Sequence, residues 1–201
     1  MGLSLWLVPN KLEAEKLELV MNVRQKDPSL SLESYPKFYP HVTLASLPLS
    51  LENELDKIEG SIPKSTGNAP MRCYFAEVKI GEHYFRSVYV AIKPTSDILS
   101  LYEEVHKMLG IEPRLPAFPH LSLCYIDDAD AANGERQRFY EDLQVNGVID
   151  TKSEDKDSIQ LGCGTRGKAD LVDHFEAHEV WVVRSEGPVE GWDVLRRIPL
   201  H

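Results

Sequence analysis

The apolar and polar residues of this chain alternate in several short runs, which is the pattern of half-buried β-strands. The alternating runs lie at residues 3–8, 41–45, 72–80, 84–92, 120–125, 158–161, 174–184 and 194–199. Gly81 and Glu82 separate the third run from the fourth, so we predict a hairpin that turns at these two residues.

Apolar residues at helical spacing predict four helices among these strands. The first begins after Asn10 and ends before Pro28, with an apolar face formed by Leu12, Leu17, Val20 and Met21. The others are predicted at residues 50–59, 96–109 and 129–143. Gly110 is suited to end the third of these four helices, and we expect His106 on that helix's exposed surface.

Two of the predicted strands carry the same five-residue pattern: proline, histidine, an apolar residue, a hydroxyl residue and leucine. The sequence reads PHVTL at residues 40–44 and PHLSL at residues 119–123, and each motif follows a loop rich in proline and aromatic residues. Because side chains alternate along a strand, His41 and Thr43 share one face, as do His120 and Ser122. Each strand therefore presents an imidazole beside a hydroxyl.

Two such pairs that meet across a cleft suit the opening of a cyclic phosphodiester without a metal ion. Imidazole ionises near pH 6.5, so one histidine can take the proton of the attacking water while the other protonates the leaving oxygen. The neighbouring hydroxyls can donate hydrogen bonds to phosphate oxygens, where negative charge grows in the transition state. A single HxT or HxS tripeptide is common in structural strands, and it is the repetition that indicates a site.

The composition and net charge of the chain limit the binding partners and the cellular compartment that we expect. The net charge of −10 argues against a protein that holds duplex nucleic acid through many phosphates, although 13 of the 32 acidic residues lie within residues 126–176 and leave room for a positive pocket elsewhere. Three cysteines without a CxxC pair are expected to be reduced thiols. With neither a membrane-spanning run nor a signal peptide, we expect a cytoplasmic protein, and a peripheral association with an organelle such as the Golgi stays open.

The duplicated motif resembles that of the two-histidine (2H) phosphoesterase superfamily and, within it, the fungal and plant cyclic nucleotide phosphodiesterases. The likeness extends over most of the chain, through PHVTLASLP and PHLSLCY to the closing WVV and GWDVLRRIPL segments. It implies a LigT-like α+β fold of two pseudo-equivalent lobes, each with an antiparallel sheet and flanking helices, around a cleft. Residues 1–201 would form a single bilobal cyclic phosphodiesterase domain, with one HxT or HxS motif from each lobe.

The resemblance also implies an activity and a set of site residues. It implies hydrolysis of 2′,3′-cyclic nucleotides to nucleoside 2′-phosphates, and of ADP-ribose 1″,2″-cyclic phosphate, a by-product of tRNA splicing, to ADP-ribose 1″-phosphate. His41 and His120 carry over as the acid–base pair, Thr43 and Ser122 as phosphate binders, and Tyr125 as a substrate contact. No metal or cofactor is implied, the partner is a small cyclic phosphate, and we expect a monomer.

Several residues are open to two interpretations. Strict alternation would point Tyr125 away from His120, so either the strand bends or ends near Cys124 or Tyr125 belongs to the core. Tyr84 and Phe85 either pack within the sheet or line the cleft. His174 and His178 fall on a strand, where their backbones are about 13 Å apart, and we expect them to be structural or solvated.

Two alternative functions are also compatible with the sequence. One is an RNA-end phosphodiesterase that uses the same histidines on an oligonucleotide terminus, which the acidic composition disfavours. The other is a non-catalytic module that binds phosphate, which the presence of both histidines disfavours.

Overall fold

The structure, a computed structural model, describes residues 2–64, 70–113, 119–150, 158–164 and 170–200. Residues 114–118 of the proline-rich loop before His120 lie outside these ranges. The strands are β1 (Leu3–Pro9), β2 (Val42–Leu47), β3 (Met71–His83), β4 (Arg86–Ile92), β5 (His120–Cys124), β6 (Ile149–Asp150), β7 (Gln160–Gly162), β8 (Leu171–Val172), β9 (His174–Arg184) and β10 (Asp193–Pro199). The α-helices are α1 (Lys11–Met21), α2 (Leu55–Gly60), α3 (Ser96–Leu109), α4 (Asp128–Ala132) and α5 (Glu135–Val145).

Seven strands form one antiparallel sheet in the order β1-β2-β5-β4-β3-β9-β10. The sheet closes on itself, because β1 pairs with β9 as well as with β2. Strand β9 contacts β1 along one edge and shares its other edge between β3, at residues 174–177, and β10, at residues 179–184. The strands thus fall into two antiparallel halves, β2-β1-β9-β10 and β5-β4-β3.

The predicted α+β fold class is confirmed, with the two halves of the sheet hydrogen-bonded to each other rather than separate. Strands β6, β7 and β8 form a second, separate sheet. Of these three strands, the sequence pattern predicted β7 alone. That residues 1–201 work as a single bilobal domain stays a prediction.

Strand β1 is buried along its whole length, whereas alternation predicted a half-buried strand. Its leucines pack into the main core, which extends to helices α1, α3 and α5. Its other face packs into a second apolar cluster formed by Trp6, Val8, Trp181 and Val183, against which Tyr39 and Trp192 lie. Aromatic side chains therefore cover the face that the pattern assigned to solvent.

The β3–β4 hairpin turns at Tyr84 and Phe85, so the predicted turn at Gly81 and Glu82 is wrong. Gly81 lies within β3, beside an irregularity in the pairing of β3 with β4. A Cβ atom at this position would lie 2.0 Å from the carbonyl oxygen of Arg86. The glycine is therefore required by a close approach of two backbones and not by a turn.

Helix α3 matches its prediction, since Thr95 caps its start and Gly110 ends it in the left-handed conformation. The predicted helix at residues 129–143 is instead two helices, because Gly134 adopts φ 87° and separates α4 from α5. The predicted helix at residues 50–59 likewise divides into a 3₁₀-helix, Leu49–Asn53, and α2.

One residue of the predicted α1 face was misassigned. Leu12 is 72% exposed, and the buried residues of α1 are Ala14, Leu17, Val20 and Met21. Leu12 precedes Leu17 by five residues, which turns it about 140° around the helix axis and away from the core.

The cysteines and the helices agree with the expectations from composition. Cys73, Cys124 and Cys163 are buried and free, so the prediction of reduced thiols is confirmed. Burial raises the pKa of the Cys124 thiol, which keeps it protonated at neutral pH. Within the described ranges, no helix is both long and apolar enough to cross a membrane.

Candidate active site

Both histidine motifs open onto one cavity of about 720 Å³. Its lining includes all five residues singled out in the sequence: His41, Thr43, His120, Ser122 and Tyr125. The structure therefore brings these five side chains together, while their roles in binding and catalysis stay predictions.

The two motif strands are neighbours in the sheet, where Val42 of β2 pairs with Leu121 of β5. Because the strands are antiparallel, each histidine in this register lies across from the hydroxyl residue of the other motif, as His41 does from Ser122. Opposed residues share a face of a sheet, so the four polar side chains form one patch on the cavity side. Val42 and Leu121 are fully buried on the other side.

His41 is buried, with 6% of its surface exposed, and a backbone contact holds its ring. Its Nδ1 lies 2.7 Å from the carbonyl oxygen of Tyr39. A carbonyl oxygen accepts hydrogen bonds and never donates them, so Nδ1 carries the proton and Nε2 of the neutral ring has the free lone pair.

The environment of His41 also fixes its charge. Burial lowers the pKa of His41 to about 4, with a further lowering by His120 and an opposing effect of the bond to Tyr39. The ring is therefore neutral near pH 7. A neutral imidazole with a free Nε2 is the form that accepts a proton.

The second motif differs in its surroundings. His120 is partly buried, and the ring of Tyr89 meets it edge-on at 5.3 Å. The Ser122 hydroxyl donates to the carbonyl oxygen of Phe85 at 2.8 Å. This hydroxyl must rotate away from Phe85 before it can donate a hydrogen bond to a phosphate oxygen.

Tyr125 lies at the site because β5 ends at Cys124, one residue before it. The strand thus ends where the first of the two interpretations placed it, and Tyr125 lines the cavity although it is also buried. Its ring stacks on Phe38, with ring centroids 4.1 Å apart. Only 3% of Tyr125 is exposed, and burial raises the pKa of its phenol, with Ser122 acting in the opposite direction. The phenol stays protonated and keeps its O–H as a donor.

The cavity lining also contains residues outside the two histidine motifs. Among these are the aromatic residues Trp6, Phe85, Tyr125 and Trp192. Hydroxyl residues from the start of β1, the end of β2 and the segment after β9 also belong to the lining, and these are Ser4, Ser46 and Ser185. The lining thus offers aromatic rings on which a planar ring can stack and hydroxyl groups that can form hydrogen bonds.

Several lining residues were missed from the sequence. Trp6 stacks on His41, and Arg86 and Trp192 also reach the cavity. The expected surface position of His106 is wrong, since it is only 4% exposed and lines the cavity, with Nδ1 2.7 Å from the carbonyl oxygen of Tyr102. His106 follows Val105 at the border of the buried face of α3, whereas Glu103, Glu104 and Lys107 on the polar face are exposed. Helical periodicity does not show how far burial extends beyond the apolar residues themselves.

His174 and His178 are placed as their strand spacing predicted. The Nδ1 atom of His174 lies 2.5 Å from Asp173, the Nε2 atom of His178 lies 3.9 Å from Glu176, and neither histidine lines the cavity. Among the residues that the structure describes, no three His, Cys, Asp or Glu side chains are grouped so as to hold a metal ion.

Comparison with known proteins finds relatives that align over nearly the whole chain. A family model described as cyclic phosphodiesterase-like protein matches residues 1–200. A 2′,3′-cyclic-nucleotide 3′-phosphodiesterase of Kluyveromyces lactis is 29% identical over 223 aligned positions, which cover all of both chains. A protein of the same name from Yarrowia lipolytica is 24% identical, with 97% of this chain and 98% of that one aligned.

Solved structures support the fold. Escherichia coli LigT complexed with 3′-AMP superposes on the whole of this chain and on 95% of its own, with 15% identity and a TM-score of 0.50. The protein TT0787 of Thermus thermophilus gives 17% identity and a TM-score of 0.50, with 98% of that chain covered. Similarity at this level of identity establishes a shared LigT-like fold.

Proposed function

Since this chain belongs to the cyclic phosphodiesterase-like family, we propose that it hydrolyses 2′,3′-cyclic nucleotides to nucleoside 2′-phosphates by acid–base catalysis with His41 and His120, without a metal ion. The chain is a cyclic phosphodiesterase by family and by its relatives. One observation carries the finer proposal: both histidines and both motif hydroxyls line a single cavity.

In the proposed reaction His41 is the general base. Its Nδ1–H donates to Tyr39, so its Nε2 is free to take a proton from the attacking water. The water oxygen forms a bond to phosphorus, and the bond between phosphorus and O3′ breaks. His120 protonates O3′, which leaves a 2′-phosphate. His41 then carries the additional proton and His120 has lost one, so exchange with solvent restores both.

The remaining site residues bind the substrate in this proposal. Thr43 and Ser122 donate to the non-bridging phosphate oxygens, and the Ser122 hydroxyl turns from Phe85 to do so. Tyr125, with a protonated phenol and a ring supported by Phe38, contacts the nucleotide.

The same site is proposed to act on ADP-ribose 1″,2″-cyclic phosphate, which would connect the protein to the by-products of tRNA splicing. In support, the cavity of about 720 Å³ also has the hydroxyl residues Ser4 and Ser46 in its lining, which offers contacts for substrate groups other than the reacting ribose. The net charge of −10 favours such a small ligand over a long RNA, and we propose that the protein works as a monomer.

Replacement of each histidine tests the proposal. We expect His41→Asn and His120→Asn each to lower kcat on a 2′,3′-cyclic mononucleotide by about 10²- to 10⁴-fold, because each removes one proton transfer. His178→Asn is the matched control, since His178 lies on β9 away from the cavity, and it should keep wild-type activity. Circular dichroism of each variant checks that the fold is intact. A folded His41 or His120 variant with wild-type turnover would disprove the acid–base assignment.

A further inference from the structure

We propose that Trp6 is a positioning residue for His41, whose indole ring holds the imidazole in one orientation and stabilises its protonated form during turnover. This inference rests on the role of His41 in the proposed function. It concerns a residue outside the two histidine motifs, on a different strand.

The contact between the two rings is close and parallel. The ring centroids of Trp6 and His41 are 3.6 Å apart, and the planes differ by 7°. Both side chains are buried. Phe38 meets the imidazole edge-on at 6.0 Å, and Tyr39 accepts the Nδ1 proton. The indole covers one face of the imidazole and the backbone fixes one ring nitrogen, so the direction of Nε2 is determined.

An irregularity in the pairing of β1 with β2 brings Trp6 to this position. Leu5 pairs with Ala45, but Trp6 pairs with Thr43, so Leu44 is an additional residue in β2. The bulge keeps Trp6 and Thr43 on the cavity face and leaves Leu44 fully buried. In a regular register, Leu44 would face Trp6 and the Thr43 side chain would turn to the core. The bulge therefore aligns the hydroxyl, the indole and the imidazole together.

The indole stabilises the charged form of His41 more than the neutral form. In the proposed step His41 receives a proton in a buried place, where burial alone opposes a positive charge. The face of an indole ring attracts a cation, and the attraction is stronger when the pair is shielded from water. An interaction that grows as the proton is transferred lowers the barrier, and it raises kcat without tightening substrate binding.

Apart from the Tyr39 carbonyl, which accepts the Nδ1 proton, the other described groups around His41 do not supply this stabilisation. His120 is the titratable group that acts on His41 electrostatically, and its charge opposes protonation of His41. From the preceding loop, Phe38 and the backbone of Tyr39 face the ring, and both are uncharged. From β1 the facing residue is Trp6. Among the residues that the structure describes, the indole face and the Tyr39 carbonyl are thus the groups that favour an imidazolium.

Trp6 also packs in the apolar cluster with Val8, Trp181 and Val183, so the test must separate packing from electrostatics. We would place tryptophans with increasing numbers of ring fluorines at position 6, because fluorine weakens the attraction for a cation with little change in size. Trp181 supplies the matched control position. It is buried in the same cluster but contacts Tyr39 and Arg197 rather than His41.

We expect kcat to fall stepwise with fluorination at position 6, by about 3- to 30-fold over the series, with KM nearly unchanged. The acidic limb of the kcat/KM profile should move to lower pH, because the protonated form of His41 loses stabilisation. The same fluorinated series at position 181 should change neither kcat nor the acidic limb of the pH profile. Trp6→Leu should lower kcat further, and its thermal unfolding shows whether the fold persists.

Two results distinguish failure of this inference from failure of the proposed function. If the wild-type protein hydrolyses cyclic nucleotides and the fluorinated series at position 6 leaves both kcat and the acidic limb unchanged, Trp6 is a packing residue and the inference is wrong. If the wild-type protein has no such activity, the proposed function fails instead. A nitrogen NMR titration of His41 then measures its pKa directly, and a pKa that does not fall with fluorination overturns the inference by itself.

Discussion

His41 combines a buried position with a defined proton location, and this has a consequence for stability. Its pKa is lowered by burial to about 4, against about 6.5 in an unfolded chain. Between these values the unfolded chain binds a proton that the folded protein does not. The contribution of His41 to stability is thus fully present above pH 6.5 and is lost as the pH falls toward 4.

We therefore predict that the wild-type protein loses about 3 kcal/mol of unfolding free energy relative to His41→Gln between pH 7 and pH 4. Urea unfolding of both proteins at several pH values in this range measures the difference. Because the other titrating groups are common to both proteins, their effects cancel. A difference that stays constant with pH would show that His41 ionises in the folded protein as it does in an unfolded chain.

The sequence alone was enough to predict those site residues whose placement depends on a single strand. Alternation was sufficient to put His41 beside Thr43 and His120 beside Ser122. Tyr125 was undecided because its direction depends on where β5 ends. Trp6 was missed because its contact with His41 depends on the register between β1 and β2, which no pattern within β1 reveals.

Among the elements, the loop that precedes β2 positions the first histidine and supports the second motif. Tyr39 accepts from His41, Phe38 stacks on Tyr125, and the backbone N–H of Tyr35 donates to the carbonyl oxygen of Tyr125 at 2.8 Å. The Tyr35 hydroxyl in turn donates to the buried carboxylate of Glu135 on α5. The two motifs are therefore connected through one loop as well as through the sheet.

Glu135 anchors this loop as a charged group. Burial would raise its pKa, but hydrogen bonds from Arg24, Arg138 and Tyr35 outweigh that effect and lower the pKa. The carboxylate is therefore ionised at neutral pH and remains paired with both arginines. Such long-range ion pairs are invisible to periodicity, since Arg24 and Glu135 are 111 positions apart.

The close approach of β3 and β4 at Gly81 allows a prediction about the stability of their hairpin. We expect Gly81→Ala to lower the unfolding free energy by roughly 2–4 kcal/mol, because a Cβ atom there would overlap the carbonyl oxygen of Arg86 and force the strands apart. KM should also rise, since Phe85 and Arg86 at the end of this hairpin line the cavity.

Gly60→Ala is the control for that change, because nothing lies within 4 Å of its added Cβ. Chemical denaturation and steady-state kinetics of the two variants measure both effects. Equal stability of the two variants would mean that the hairpin relaxes without cost in free energy.

The position of Gly81 shows why turns are harder to predict than helix caps. A glycine within an alternating run marks either a turn or a close approach of two backbones, whereas Thr95 and Gly110 identified the ends of α3 by local geometry alone.

For the whole molecule, the organising feature is the meeting of two sheet halves at the histidine motifs. The single pairing of Val42 with Leu121 joins β2 to β5, so the cavity lies where the two halves join. The sequence indicated this arrangement through the repeated motif. It did not indicate the closure of β1 onto β9, because that pairing joins the two ends of the chain.

We propose that this site opens a cyclic phosphate with two histidines and no metal ion. The most direct test is phosphorus NMR of a 2′,3′-cyclic mononucleotide incubated with EDTA-treated protein. We predict an unchanged rate in EDTA and a single product, the nucleoside 2′-phosphate, because in the proposed reaction His120 protonates O3′ as the leaving group. Formation of a 3′-phosphate would show that the other ester bond breaks, and loss of activity in EDTA with recovery on addition of a divalent cation would show that the reaction needs a metal ion; either result rules out the proposed reaction.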